Sequence, residues 1–168
     1  DTPYLYWVEL SVKTENGVVL DTWSGHVGIR NLFLSAQTGL LVNGQVTRLR
    51  GACIHHDNGV LGAATFTQAE KRRVLQLKEA GFNCLRSAHH PMSKAMLEAC
   101  DEYGMYVIDE LYDMWTQSKN PNDNSRHFME EWEEDVEKLV HKDYNHPSVI
   151  IYSLGNEIQE AEIGRAHV

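Results

Sequence analysis

The sequence predicts an α/β chain: the N-terminal half of a (β/α)8 TIM barrel, preceded by the last strands of an immunoglobulin-like β-sandwich. Three observations carry this expectation. Residues before Arg30 repeat with period two, which is a strand pattern. From Arg48 onward, short apolar runs alternate with longer segments of helical period, as βα units on a parallel sheet do. Polar and ionisable residues gather just after each apolar run, where the C-terminal ends of parallel strands would lie. The expected division is residues 1–30 for the end of the sandwich, 31–161 for the half barrel, and a separate tail at 162–168.

In the first segment Tyr4, Tyr6, Val8, Leu10 and Val12 fall on one strand face and Leu5, Trp7, Glu9 and Ser11 on the other. Asn16-Gly17 supplies a tight turn, and Val18 to Trp23 reads as the returning strand. At most three short strands fit before Arg30. A sandwich of this class needs about seven, so these would be its last ones. A second hairpin turns at Asn43-Gly44, from Leu40-Leu41-Val42 into Val46 and Leu49.

The first βα unit has a strand ending at Cys53-Ile54 and a helix from Thr67 to Ala80. A Thr67/Glu70 capping box is expected at its start and a Gly81 cap at its end. The second has a strand from Phe82 to Arg86, a His-His-Pro loop, and a helix that Ser93 caps and Gly104 ends. The third runs from Met105 to Ile108 through a long polar loop into a helix from Phe128 to Tyr144. Met129, Trp132, Val136, Leu139 and Val140 form its apolar stripe. Its acids between Glu130 and Glu137 lie towards the N-terminal end, where the macrodipole favours them, and read as a solvated face. The fourth strand is Val149 to Leu154. A whole barrel needs about 250 residues, so the outer two of these four strands would have open edges.

Composition narrows the function. The chain of 168 residues is 42% hydrophobic and 23% charged, which excludes disordered and collagen-like classes. Apolar runs are far shorter than the roughly 20 residues that span a bilayer, so no membrane association is expected. Twenty-four acidic against 15 basic residues give a net charge of −9, with no basic stripe to neutralise phosphates, so nucleic acid is not an expected partner. Cys53, Cys84 and Cys100 are in no CxxC spacing and are expected to be buried thiols.

Four polar clusters stand in register: His55-His56-Asp57, Arg86 with His89-His90, Asp109-Glu110, and Asn156-Glu157. In a barrel they would share one face and form a pocket. One histidine of each pair is expected to be a hydrogen-bonded wall residue, and Asp109 or Glu110 could equally bridge loops. Metal-assisted hydrolysis would need two converging imidazoles, but adjacent strand residues point to opposite faces, which counts against His-His chelation. Glycoside hydrolysis needs two carboxyl groups flanking the anomeric carbon. Glu157 suits one of them, because Gly155 allows close approach and Asn156 offers an amide to a sugar hydroxyl.

These segments resemble glycoside hydrolase family 2, and within it the bacterial β-galactosidases, from about Tyr4 to Glu160. The resemblance is carried by Leu49-Arg50-Gly51 with His55-His56-Asp57, and by Gly81-Phe82-Asn83, Leu85-Arg86 and His89-His90-Pro91. It continues through Cys100-Asp101-Glu102-Tyr103-Gly104, Val107-Ile108-Asp109-Glu110, Asn145-His146-Pro147-Ser148-Val149-Ile150 and Gly155-Asn156-Glu157. Asp113-Met114-Trp115 and Lys119-Asn120-Pro121 look more like the galactosidase branch than the glucuronidase one.

The resemblance implies a retaining exo-glycosidase for terminal β-D-galactosides, with Glu157 as general acid/base. Asn156 and His89 would contact the sugar, with Asp57 and Trp115 as further substrate-binding candidates. Arg86 would lie beneath the pocket and keep the nucleophile ionised, and Asp109 and Glu110 would support the site. The nucleophile, a glutamate after the family's seventh strand, has no counterpart here, so the chain as given is expected to be inactive. Some relatives hold a divalent cation near the acid/base through loops that this chain matches poorly; no metal ligand or cofactor is assigned. The expected partner is a carbohydrate substrate, in a soluble bacterial protein of the cytoplasm or periplasm; oligomeric state is open. β-Glucuronidase activity and a non-catalytic carbohydrate-binding module are the alternatives. Residues 162–168, Glu-Ile-Gly-Arg-Ala-His-Val, do not resemble the family's continuation. They look like a sequencing adapter translated in frame, and the natural protein is expected to continue past Ala161.

Overall fold

The computed structural model describes residues 3–158, so the tail at 162–168 and its expected origin lie outside the described residues. Strands β1 (Tyr6–Lys13) and β2 (Val19–Val27) form an antiparallel hairpin with Tyr6 opposite Val27. Two strands form before Arg30, within the expected limit of three. Trp7 on one face and Leu10 and Val12 on the other are exposed, and among the described residues β1 and β2 form a sheet of two strands, not a sandwich. A three-stranded meander follows: β3 (Leu32–Ser35), β4 (Gly39–Val42) and β5 (Gln45–Val46). Its second turn is the expected Asn43-Gly44, where φ of 50° and 77° places both residues in the left-handed region. Strand β3 was not foreseen, since Leu32 to Ser35 carries no turn signal of its own and is defined by its pairing to β4. The Arg30 guanidinium ties this region to the last strand by donating to the carbonyls of Pro147 and Val149.

The parallel sheet has the expected order. Strands β6 (Gly51–Ile54), β7 (Cys84–Ser87), β8 (Tyr106–Glu110) and β9 (Val149–Ser153) lie side by side in chain order, with β6 and β9 outermost among the described residues. Helices α1 (Thr67–Glu79), α2 (Lys94–Tyr103) and α3 (Phe128–Asp143) connect them. Ile54, Leu85, Val107 and Val149 project from the four strands onto Val74 of α1 and Met96, Leu97 and Cys100 of α2, forming the main core. Leu111, Tyr112, Phe128 and Leu139 form a second cluster under α3. Burying a side chain of this size stabilises the fold by about 1.5–3 kcal/mol.

Helix α2 is punctuated as expected. Ser93 Oγ accepts from Met96 N at 3.2 Å, and Gly104 ends the helix at φ 74°. Helix α1 differs: Phe66 occupies the N-cap without a side-chain bond, so the Thr67/Glu70 capping box does not form. Glu70 is instead fully buried and accepts from Asn58 Nδ2 at 2.7 Å and Arg73 Nη1 at 3.2 Å. A tertiary partner outcompetes the local one because its bond is shielded from water. On α3 the acids Glu130, Glu131, Glu133, Glu134 and Glu137 face solvent as expected, but Asp135 of the same run is half-buried and accepts from the Tyr112 hydroxyl. The apolar stripe is narrower than expected: Met129 and Val140 are exposed, and Phe128 takes the buried position at the start of the helix. Cys84 and Cys100 are buried, and burial pushes the Cys84 thiol up to about 11. Cys53 is exposed, against expectation, because the strand alternation that turns Ile54 towards the helices turns Cys53 away from them.

The end of α3 is fastened to β8 by two carboxyl groups. Asp109 and Asp143 are both fully buried, with Asp109 Oδ2 and Asp143 Oδ1 left without a hydrogen-bond partner, and Lys142 Nζ donates to Asp143 Oδ2 at 2.5 Å and to Met92 O at 2.8 Å. Burial, then the neighbouring Asp109 carboxyl, raises the Asp143 pKa despite Lys142. A carboxyl raised in the folded state contributes stability that is complete below the unfolded-state value of about 4 and is lost as pH rises through the folded-state value. Thermal unfolding is therefore expected to show a midpoint that falls between mildly acidic and alkaline pH, with a flatter dependence in Asp143→Asn.

Candidate active site

The site is assembled at the C-terminal ends of the four parallel strands, around one buried carboxylate. Glu110, the last residue of β8, is fully buried. Its Oε2 accepts from Arg86 Nη2 at 2.6 Å, Arg86 Nε at 3.0 Å and Ser153 Oγ at 2.6 Å, and its Oε1 meets His89 Nδ1 at 2.6 Å. Burial alone would raise this carboxyl, but the hydrogen bonds from Ser153, His89 and Arg86 and the Arg86 charge outweigh it and lower its pKa. Glu110 therefore remains an anion that orders its neighbours. Its backbone is held as well, because Glu110 N donates to Ser87 Oγ at 2.7 Å. Ser87 in turn donates to Asp109 Oδ1 at 3.1 Å, and that oxygen also accepts from Met92 N at 2.8 Å.

Arg86 reaches onward from this anchor. Its Nη2 donates to Asn156 Oδ1 at 3.1 Å, and Asn156 Nδ2 donates to Asp113 Oδ1 at 2.9 Å. These two bonds fix which way the Asn156 amide faces. Burial would raise the Asp113 carboxyl, but hydrogen bonds from Lys119 and Asn156 and the Lys119 charge hold it lower. Glu157 follows with its side chain 79% exposed and its backbone at φ 50°, a left-handed conformation rare for a residue with a Cβ. Trp115 stacks on Phe128 with centroids 5.6 Å apart and donates Nε1 to Leu154 O at 2.8 Å. It lines a small cavity with Met114, Lys119, Glu157 and Ile158.

The expected site residues thus separate into groups. Arg86, Glu110, His89 and Asn156 join one hydrogen-bonded network; Asp109 lies behind it; Glu157 and Trp115 stand at its open side. Asp57 is not part of it, being exposed and accepting from Gly59 N at 3.1 Å in a short turn. His55 and His89 face each other edge to face at 6.0 Å. His56 and His90 lie side by side at 3.9 Å, and burial, then the His90 ring, lowers the His56 pKa. His90 is the hydrogen-bonded wall residue of its pair, with Nδ1 3.0 Å from Pro91 O, while Nε2 of both His56 and His90 is buried without a partner. Among the described residues no group of three or more His, Cys, Asp or Glu side chains converges as metal ligands. Beside Glu157 the Lys119 ammonium lies 3.8 Å from Oε2 and 2.8 Å from Asp113 Oδ1.

Ser153, Asp113 and Lys119 have site roles that the sequence did not reveal. Asp113 and Lys119 had served only as branch markers, and their contact with Asn156 is made across 37 residues or more.

The sequence model described as "Glycosyl hydrolases family 2, TIM barrel domain" matches residues 35–167. The chain belongs to glycosyl hydrolase family 2. A family 2 relative, the β-galactosidase BoGH2A of Bacteroides ovatus, is 42% identical over 95% of this chain and 19% of its own length. The β-galactosidase of Alteromonas mediterranea is 35% identical over 94% of the chain and 15% of its own length. Among solved structures, a family 2 member from Bacteroides cellulosilyticus superposes with a TM-score of 0.91 at 47% identity, covering 97% of this chain and 21% of that one. A β-glucuronidase from Ruminococcus gnavus, in complex with uronic deoxynojirimycin, gives 0.80 at 30% identity, covering 93% of this chain and 26% of that one. The chain spans about a fifth of the length of these family 2 proteins.

Because Glu110 compensates Arg86 and orders His89, Glu110→Gln is expected to destabilise the fold by about 3 kcal/mol, as loss of one partner of a buried ion pair does. Denaturant unfolding measures this. Ser93→Ala, which removes a helix cap far from the pocket, is the comparison at about 1 kcal/mol.

Proposed function

We propose that this chain is the acid/base-bearing segment of a retaining exo-glycosidase that hydrolyses terminal β-D-galactosides. The observation that carries the reading is the division of labour between two carboxyl groups. Glu110 is locked as an anion under Arg86, His89 and Ser153, while Glu157 is exposed at the pocket beside an amide of fixed orientation. An exposed carboxyl can protonate a departing glycosidic oxygen and then take a proton from the incoming water, whereas a buried and fully bonded one cannot. Asn156, through the second hydrogen of its Nδ2, and His89, through Nε2, are the proposed sugar contacts, with Trp115 and Asp57 at the margin.

A retaining mechanism needs a second carboxylate about 5 Å from the first, as nucleophile. Glu110 is not available for it. The nucleophile is proposed to come from sequence outside these 168 residues, with Arg86 placed to keep it ionised, so the chain alone is proposed to be inactive. Residues 1–30 are proposed as the end of an immunoglobulin-like sandwich and 31–161 as the first half of the barrel. The β-galactosidase relatives support galactoside specificity. The second reading is a β-glucuronidase, favoured by the likeness to the Ruminococcus gnavus enzyme. No helix among the described residues is long and apolar enough to cross a membrane.

The test is a panel of nitrophenyl β-galactoside and β-glucuronide substrates on the full-length protein that carries this segment. Galactoside turnover is expected, and with phenyl β-galactoside, whose leaving group needs a proton, kcat/KM is expected to fall about 10²–10⁴-fold in Glu157→Gln. Preference for the glucuronide would select the second reading. Sugar binding without turnover would indicate a binding module, and turnover by the isolated 168-residue chain would show that the second carboxylate lies within it.

A further inference from the structure

We propose that Lys119 is a positioning residue for the acid/base Glu157, acting through the Asn156 carbonyl and Asp113; this rests on the glycosidase reading above. The backbone of Glu157 lies in the left-handed region at φ 50°, which L side chains rarely adopt, so something outside the residue must hold it there. Lys119 Nζ donates to Asn156 O at 2.9 Å. That carbonyl belongs to the peptide unit whose nitrogen is Glu157 N, so the bond fixes the plane from which the Glu157 side chain departs. The same ammonium donates to Asp113 Oδ1 at 2.8 Å and Asp113 O at 2.7 Å. Its three protons thus have three acceptors, and the geometry is determined on every side.

Asp113 closes the arrangement. Its Oδ1 receives both Lys119 Nζ and Asn156 Nδ2, so the carbonyl and the side-chain amide of Asn156 are gripped from one point. The Lys119 charge also lies 3.8 Å from Glu157 Oε2, where it favours the carboxylate side chain folded towards the pocket wall. An isolated exposed ion pair would contribute little, but this cation ties a loop to a backbone carbonyl at the end of β9.

The loop delivers Lys119 in a defined place. Asp123 Oδ2 accepts from Lys119 N at 2.6 Å, Asn120 N at 2.8 Å and Ser118 Oγ at 3.1 Å, while its Oδ1 accepts from Ser125 N at 3.1 Å and Ser125 Oγ at 2.7 Å. The backbone hydrogen bond from Asn120 and the side-chain bond from Ser125 hold the Asp123 carboxyl far below the usual carboxylate range. One anion therefore organises the segment from Ser118 to Ser125 and presents the lysine to Asn156.

The experiment compares two substrates on the full-length enzyme: a phenyl β-glycoside, whose leaving group needs a proton, and the dinitrophenyl β-glycoside, whose leaving group does not. Glu157→Gln is the reference and should lose kcat/KM on the first and little on the second. For Lys119→Met the expected result is a loss of at least about 50-fold on the phenyl substrate against less than about fivefold on the dinitrophenyl one. Equal losses on both substrates, or none on either, would overturn the role of Lys119. Lys119→Arg keeps a cation but moves its donors, and should show the same split at smaller size; parity there overturns the proposal even if Lys119→Met does not fold. Absence of the split in Glu157→Gln itself would instead refute the acid/base reading, so the two failures are distinguishable.

Discussion

A carboxylate taken fully out of water survives as an anion only where donors replace its hydration, and Glu110 is given four hydrogen bonds from three residues for that purpose. Those donors come from β7, the loop after it, and β9, so satisfying one charge fixes the relative heights of three strand ends. The rest of the site hangs from this point. Arg86, held by Glu110, turns its remaining Nη2 proton to Asn156, and Asn156 then has one orientation in which both ends of its amide are bonded. Removing the charge would leave a guanidinium and an imidazole beneath a pocket with nothing to align them.

Around this fixed centre the structure is graded from buried to exposed. Asp109 and Asp143 lie on the helix side of the sheet, Glu110 at the strand tips, Asp113 at the loop, and Glu157 in the open. The gradation assigns chemistry. Burial with few donors raises the Asp143 pKa, burial with many donors lowers that of Glu110, and Glu157 stands 79% exposed at the cavity beside Trp115. The long loop between β8 and α3 adds what the strands cannot, a cation delivered across the site by the turn that Asp123 organises.

Much of this was legible in the sequence. Period two up to Val12, the βα rhythm from Arg48, and the Ser93 and Gly104 caps all depend on residues near one another in the chain, and each reappears in the structure. The failures share a cause. Thr67 and Glu70 have capping-box spacing, but Asn58 and Arg73 captured the glutamate. Cys53 looked like a core thiol among apolar neighbours, yet strand alternation turned it away from the helices. Met129 and Val140 fit the helical stripe, but both remain exposed.

The sequence by itself determined the order of strands and helices and the placing of ionisable residues at strand ends, because hydrophobic period and chain spacing are local properties. Tertiary structure decided which of those residues are locked and which are free. Glu110 and Glu157 are the same side chain at and after the ends of neighbouring strands, and donors brought from distant segments hold the first as a buried anion while the second is left exposed. Lys119 shows the same limit: its contact with Asn156 spans 37 residues, and no local pattern encodes a distance of that kind.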